Sequence, residues 1–354
     1  MKLLISLSLV MLPLFGQAQV VLDADGPGDT YALITSVLAP GYNPIETPDC
    51  SHTSFGDHID EVFDNTLNSY VFRFHIHANE DNDRCINYDR QRNEIKTYDQ
   101  SPDNLLGIEG ETVIYKWKFK LEQGFQSSSS FTHIHQLKSV GGSLESMPMY
   151  TLTTRKGNPD QLELRYAETN SQTTVKKTAL SPLVGTWLEV TETIEYGTAG
   201  TYDIIIKKVS DNSTLFSYTN NNINNWRPGA SFVRPKWGIY RSLNSVADLR
   251  DETLLYANFS IEETSTLSNT DIASENGFII YPNPVNDTLF LKQISPKAQT
   301  LQIFTMDGKK VLEQSLNTAS EIKLDVSSLS NGNYILKIQG ENWNQSKLIT
   351  ISTK

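Results

Sequence analysis

"TVIYKWKFKL", residues 112–121, decides the fold class. Val113, Tyr115, Trp117, Phe119 and Leu121 fall on one side of an extended chain, and Thr112, Ile114, Lys116, Lys118 and Lys120 on the other. A period of two, with large apolar groups on one face, marks a strand with one buried side. The same alternation, or an enrichment in β-branched and aromatic residues, recurs in "VFRFHIH" (71–77), "SFTHIHQL" (130–137), "YTLTTR" (150–155) and "LELRYAE" (162–168). It continues through "TWLEVTETIEY" (186–196), "TYDIIIKKV" (201–209), "LFSYT" (215–219), "WGIYRS" (237–242) and "LLYANFSIEE" (254–263). So many short strands without a βαβ rhythm predict an all-β fold, a β-jelly-roll sandwich. Only "GDHIDEVFD" (56–64) reads as a short helix.

The flanks of this region have other characters. Lys2 precedes an apolar run from Leu3 to Phe15, and Gly16 and Ala18 are small, so residues 1–18 are expected to be a signal peptide cleaved after Ala18. No other stretch is apolar enough to predict a membrane span. In an exported chain the two cysteines, Cys50 and Cys85, are expected to pair, a link that stabilises by about 2–4 kcal/mol. The segment "EETSTLSNTDIASENG" (262–277) lacks apolar periodicity and sets a linker at 263–276 between a domain at 19–262 and a second at 277–354. Short alternating runs broken by prolines and Asn/Asp/Gly turns make that second domain a small antiparallel sandwich.

Charge excludes one class of partner. Between Gln19 and Glu263 there are 21 basic and 33 acidic residues, a net of −12, which argues against nucleic acid. An anionic sugar polymer needs only a local basic groove, and three strands could build one. In "DRQRNEIK" (89–96) Arg90, Arg92, Glu94 and Lys96 share a face. Such a face is ordinarily just solvated, yet two arginines and a lysine around one carboxylate also suit a planar carboxylate or sulfate. In "FTHIHQLK" (131–138) strict alternation puts His133 and His135 with Phe131 and Leu137, opposite Thr132, Ile134, Gln136 and Lys138. A zinc reading of the two histidines lacks a third ligand nearby; paired histidines can also serve as base and donor. "FHIH" (74–77) repeats the pattern, and His75 and His77 are read as structural. In "RPKWGIYRS" (234–242) Lys236, Gly238 and Tyr240 share a face, opposite Trp237, Ile239 and Arg241, with Gly238 permitting close approach.

These motifs carry two resemblances. "YPNPVND" (281–287), "MDGKKV" (306–311) and "LDVSSLSNGNYILKI" (324–338) resemble the C-terminal sorting domain of the type IX secretion system of Bacteroidetes. "RNEIK", "HIH" and "KWGIY", in that order, resemble the signature strands of jelly-roll alginate lyases, except that His133 replaces a glutamine and Lys96 an arginine. Over residues 20–262, including "VVLDADGPGDTYALI", "HIDEVFD" and "NEDNDRC", the closer resemblance is to the ulvan lyases of polysaccharide lyase family 28, marine Bacteroidetes enzymes. That resemblance implies a secreted or cell-surface monomer, exported by type IX machinery, that cleaves a sulfated uronate polymer by β-elimination. It implies Arg92 as neutraliser of the uronate carboxylate, assisted by His133 and Lys96, and Tyr240 as proton donor. For the base, the alginate-lyase pattern selects His135 or Tyr240 in both roles, whereas the ulvan-lyase pattern selects a lysine, with Lys138 nearest; both stay open. Glu94, Lys236, Arg155 and Arg241 are the expected substrate-binding residues.

No organic cofactor is expected, for want of a phosphate-cradling glycine loop or dinucleotide fingerprint. In "LDADGPGD" Asp23, Asp25 and Asp29 have a spacing compatible with structural calcium, and equally with an Asp/Gly turn. Alternatives are an alginate or glucuronan lyase, a noncatalytic carbohydrate-binding jelly roll, or a glycoside hydrolase. The last needs two cleft carboxylates, and Glu94 is the sole obvious one.

Overall fold

The computed structural model describes residues 19–264, 278–292, 298–316, 321–340 and 344–352. The expected signal peptide and most of the expected linker lie outside them. The chain divides into two compact units between residues 266 and 267.

In the first unit the order is β1 (Val20–Leu22), α1 (Thr30–Leu38), β2 (Ile45–Glu46), β3 (Ile59–Asp64), β4 (Ser69–Ile76), β5 (Arg90–Lys96), β6 (Thr112–Leu121) and β7 (Thr132–Val140). There follow β8 (Tyr150–Arg155), β9 (Gln161–Tyr166), β10 (Thr173–Ala179), β11 (Leu188–Glu195), β12 (Gly200–Lys208), β13 (Thr214–Ile223), β14 (Phe232–Ser242) and β15 (Glu252–Thr264). One sheet runs β13-β12-β11-β6-β15-β4-β3, with β1 added on β15; the other runs β10-β9-β8-β7-β14-β5-β2. All named pairings are antiparallel. The two inner faces close one apolar core, to which β6 gives the predicted row Val113, Tyr115, Trp117, Phe119 and Leu121, and the opposing sheet gives Ile95, Leu137, Leu152, Trp237 and Ile239. This is the expected jelly-roll sandwich.

Two local expectations differ. "GDHIDEVFD" contains β3, whose Ile59 and Glu61 are buried while Asp60 and Val62 are only partly so. Burial alternates along it with a period of two, Glu61 on the inward side included, as in an extended strand. The helix α1 lies instead in "TYALITSVL", started by Asp29, whose side chain accepts from the Ala32 N–H at 3.3 Å. Cys50 and Cys85 form the expected disulfide.

In the second unit, β16 (Ile279–Tyr281), β17 (Thr288–Lys292), β18 (Ala298–Thr305), β19 (Lys310–Ser315), β20 (Glu321–Asp325), β21 (Gly332–Gly340) and β22 (Asn344–Ile351) form sheets β16-β17-β20 and β19-β18-β21-β22. Phe278, Leu289, Leu301, Ile303, Leu336 and Ile349 lie in its own core. No helix among the described residues is long and apolar enough to cross a membrane.

Candidate active site

The three singled-out strands are neighbours: β14 pairs with β5 on one edge and with β7 on the other. Register aligns Tyr240 with Arg92 and His133, and Lys236 with Lys96 and Gln136. Directly paired residues project to the same face, so these side chains stand on the outer face of the sheet, away from the core. Gly238 sits opposite Glu94 with φ +138°, where a Cβ would meet the Asn93 carbonyl oxygen at 2.1 Å. Its missing side chain is therefore required by the neighbouring backbone.

A bulge sets which residues of β7 face outward. His133 pairs with Tyr240 and His135 with Trp237, leaving Ile134 opposite both Gly238 and Ile239. β8 also skips Ile134. The slip reverses alternation, so His133, Gln136 and Lys138 face the cleft while His135 and Leu137 face the core. Tyr256, from the facing sheet, brings its hydroxyl within 2.8 Å of the carbonyls of both Ile134 and Gly238.

His135 thus does not lie where strict alternation put it. It is 1% exposed, 2.8 Å from Glu192 through Nε2 and 3.0 Å from the Lys236 carbonyl through Nδ1, and packed on Trp117. Arg241 is likewise a core group, donating to Gln91 at 2.7 Å and to the Arg250 carbonyl at 2.8 Å. Neither reaches the cleft, because both occupy positions whose parity turns them inward.

The cleft has a volume of about 280 Å³. Its charged lining is Arg90, Arg92, Lys138, Arg155, Arg165 and Lys236, joined by His133, Gln136, Tyr240, Phe131 and Gln172, with no carboxylate among them. The acids lie beneath. Glu94, 1% exposed, meets Arg92 at 2.5 Å and Lys236 at 2.9 Å, and accepts from Gln136. Burial alone would raise its pKa; Lys236 and Arg92 reverse that and hold the carboxyl low. Glu46, on the short strand β2, accepts from Lys96 at 2.8 Å and Arg84 at 2.7 Å, and pairs with Lys236. Lys96 is therefore tied to Glu46 and is not part of the lining.

Arg92 is anchored rather than free. Its Nε donates to Asp83 at 2.9 Å and its Nη1 to Glu94, while its guanidinium lies 3.8 Å from the centroid of the Tyr240 ring. The Tyr240 hydroxyl accepts from Arg90 at 2.7 Å. Burial raises its pKa above 10, against the opposing pull of Arg92 and Arg90, so the phenol keeps its proton at neutral pH. His133 stacks on Phe131, and burial lowers its pKa to about 3. Its Nδ1, like Arg155 Nε, is buried without a hydrogen-bond partner. Lys138 is brought down to about 8 by burial and then by the charges of Lys236, Arg234 and Arg92.

Sequence reasoning passed over Gln136, Arg165, Glu46 and Asp83. The bulge hid the first, and only the fold brings the others to the cleft. It also missed the one group among the described residues able to hold a metal: His52, His58, His77 and Asp81. Asp23 and Asp25 join no such group; Asp23 accepts from Asn258 at 2.8 Å and Asp29 caps α1.

Residues 279–352 match the family model described as a secretion system C-terminal sorting domain. Among curated proteins, none matches the chain. Solved structures similar to it include a marine PL-14 alginate lyase from Aplysia kurodai, at 15% identity and TM-score 0.49, covering 70% of this chain and 100% of the other. An endo-β-1,4-glucuronan lyase from the fungus Trichoderma reesei is similar at 17% identity and TM-score 0.43, over 58% of this chain and 87% of the other. An alginate lyase from Pseudomonas aeruginosa is similar at 13% identity and TM-score 0.40, over 59% and 87%.

Proposed function

We propose that the chain is an exported polysaccharide lyase that cleaves ulvan at its uronic acid by β-elimination. The observation that carries this reading is a cleft lined by six cationic side chains and no carboxylate in a chain of net charge −11. Such a cleft attracts a polyanion and leaves no pair of acids for hydrolysis of a glycosidic bond.

The uronate C5 proton becomes removable once its carboxylate is neutralised. The side chains of His133 and Arg155 line the cleft and suit that carboxylate, with Gln136 and the other lining cations around them. Neutral Lys138 takes the C5 proton, the electron pair forms the C4–C5 double bond, and the C4–O4 bond breaks. The Tyr240 phenol gives its proton to the leaving O4, and solvent then returns a proton from the Lys138 ammonium to the Tyr240 phenolate. Arg92, held by Asp83 and Glu94, positions the Tyr240 ring and favours its transient negative charge. The sorting-domain match of the second unit supports export by type IX secretion.

The test is incubation of the purified chain with ulvan, alginate and glucuronan. Rising ultraviolet absorbance from new double bonds, greatest on ulvan, is expected. New reducing ends without unsaturation would overturn elimination, and a preference for alginate or glucuronan would overturn the substrate assignment.

A further inference from the structure

Outside the cleft, three imidazoles converge on one carboxylate. Asp81 Oδ1 is 3.2 Å from His52 Nδ1 and 3.1 Å from His58 Nε2, and Asp81 Oδ2 is 3.1 Å from His77 Nδ1. All four ligand atoms lie within 4.8 Å of one another. Ligands bound tetrahedrally at about 2.0–2.1 Å stand roughly 3.3 Å apart; the distances from Asp81 Oδ1 to His52 and His58 match that spacing, and the whole set, within 4.8 Å, is compact enough to close on one ion.

The surroundings also have the form of a metal site. His58 turns its other nitrogen, Nδ1, to Asp49 at 2.7 Å, and Asp49 is held by Tyr31 at 2.9 Å and Thr47 at 2.7 Å. A ring nitrogen anchored to a carboxylate while the other faces the ligand cluster is the usual outer arrangement of a metal-binding histidine. His58 and Asp81 are buried, and Phe55 packs on His52, His58 and His77. The Cys50–Cys85 disulfide joins the two ligand-bearing loops, next to His52 on one side and Asp81 on the other.

We propose that His52, His58, His77 and Asp81 bind one divalent transition metal, zinc by the chemistry of the donors. Three imidazole nitrogens and one carboxylate oxygen in a closed four-coordinate site suit zinc, whereas calcium takes six to eight oxygens. The ion's role is structural. Asp83 and Arg84 follow the ligand Asp81 on the same loop, and they bind Arg92 and Glu46 beneath the cleft. The metal thereby fixes the loop that anchors Arg92 under Tyr240.

The test uses the full chain, stripped with a chelator, dialysed and titrated with Co²⁺, then with Zn²⁺ in competition. One equivalent of Co²⁺ should give the visible absorption of a tetrahedral site and be displaced by one equivalent of Zn²⁺. The double variant His52→Gln/His77→Gln should lose more than about a hundredfold in affinity, since even outer partners of a metal site matter by about ten- to a hundredfold. His75→Gln should bind as the parent does, because His75 is directed to Asp60 at 3.2 Å. Absence of saturable binding by the parent chain overturns the proposal whatever the variants do, and undiminished binding by the double variant overturns the assignment of ligands. The readout is metal binding, so it stands apart from the outcome of the lyase assay.

Discussion

The Arg92 guanidinium lies 3.8 Å from the centroid of the Tyr240 ring, across the pairing of β5 with β14. Both groups are built in by register: residue 92 is opposite residue 240, and the charge on Arg92 is fixed from behind by Asp83 and Glu94. In the proposed mechanism the cation is thus already in place when the phenol releases its proton, and needs no reorganisation at that moment.

Lys138 gives a pH dependence with a definite sign. Its pKa is lowered to about 8, and only the neutral amine can accept a proton, so activity should rise about tenfold per pH unit below that value and level above it. Tyr240, held above 10, adds no falling limb in that range. A folded-state pKa below the unfolded one also means that stability rises with pH between about 8 and 10.5 and that the charged lysine weakens the fold below it. Lys138→Met should therefore lose turnover yet unfold at higher urea than the parent at neutral pH. A flat rate between about pH 6 and 9 would remove Lys138 as the base.

His135→Ala separates a structural from a chemical role. It strips the buried Glu192 of a partner at 2.8 Å, leaving Tyr202 at 2.6 Å, and should destabilise by about 3 kcal/mol in urea unfolding. The folded fraction at low temperature should keep measurable turnover. Complete loss of turnover in fully folded protein would return His135 to the chemistry.

Tyr256→Phe tests the bulge. Removal of one hydroxyl leaves the Ile134 and Gly238 carbonyls without that partner, which should lower stability by about 1–3 kcal/mol. Because the bulge sets the outward positions of His133 and Lys138, kcat should fall more than binding weakens. Unchanged kcat in a destabilised protein would show that the cleft does not depend on this support.

The strand pattern made most of the fold legible, and the motifs pointed to β5, β14 and β7 as neighbours, which they are, because alternation is a local property and each motif fills one strand. His135 was misplaced for a physical reason: Ile134 has no partner on β8 and stands opposite two residues of β14, a slip that reverses parity within β7 and that pairing with the neighbouring strands, not the local sequence, determines. Glu46, Asp83, His52 and His58 escaped notice because they come from loops or a two-residue strand, where periodicity does not exist. Only the fold and the disulfide bring them together.

The most direct test is the rate of Tyr240→Phe on ulvan, with binding of the same polymer measured in parallel. The variant keeps the ring beside Arg92 and removes the hydroxyl, and with it the transferable proton and the acceptor for Arg90. Formation of unsaturated ends should fall by about a hundredfold or more while binding stays within a few-fold of the parent. Turnover by the folded variant at the parent's rate would contradict proton donation by Tyr240, and with it the elimination mechanism drawn for this cleft.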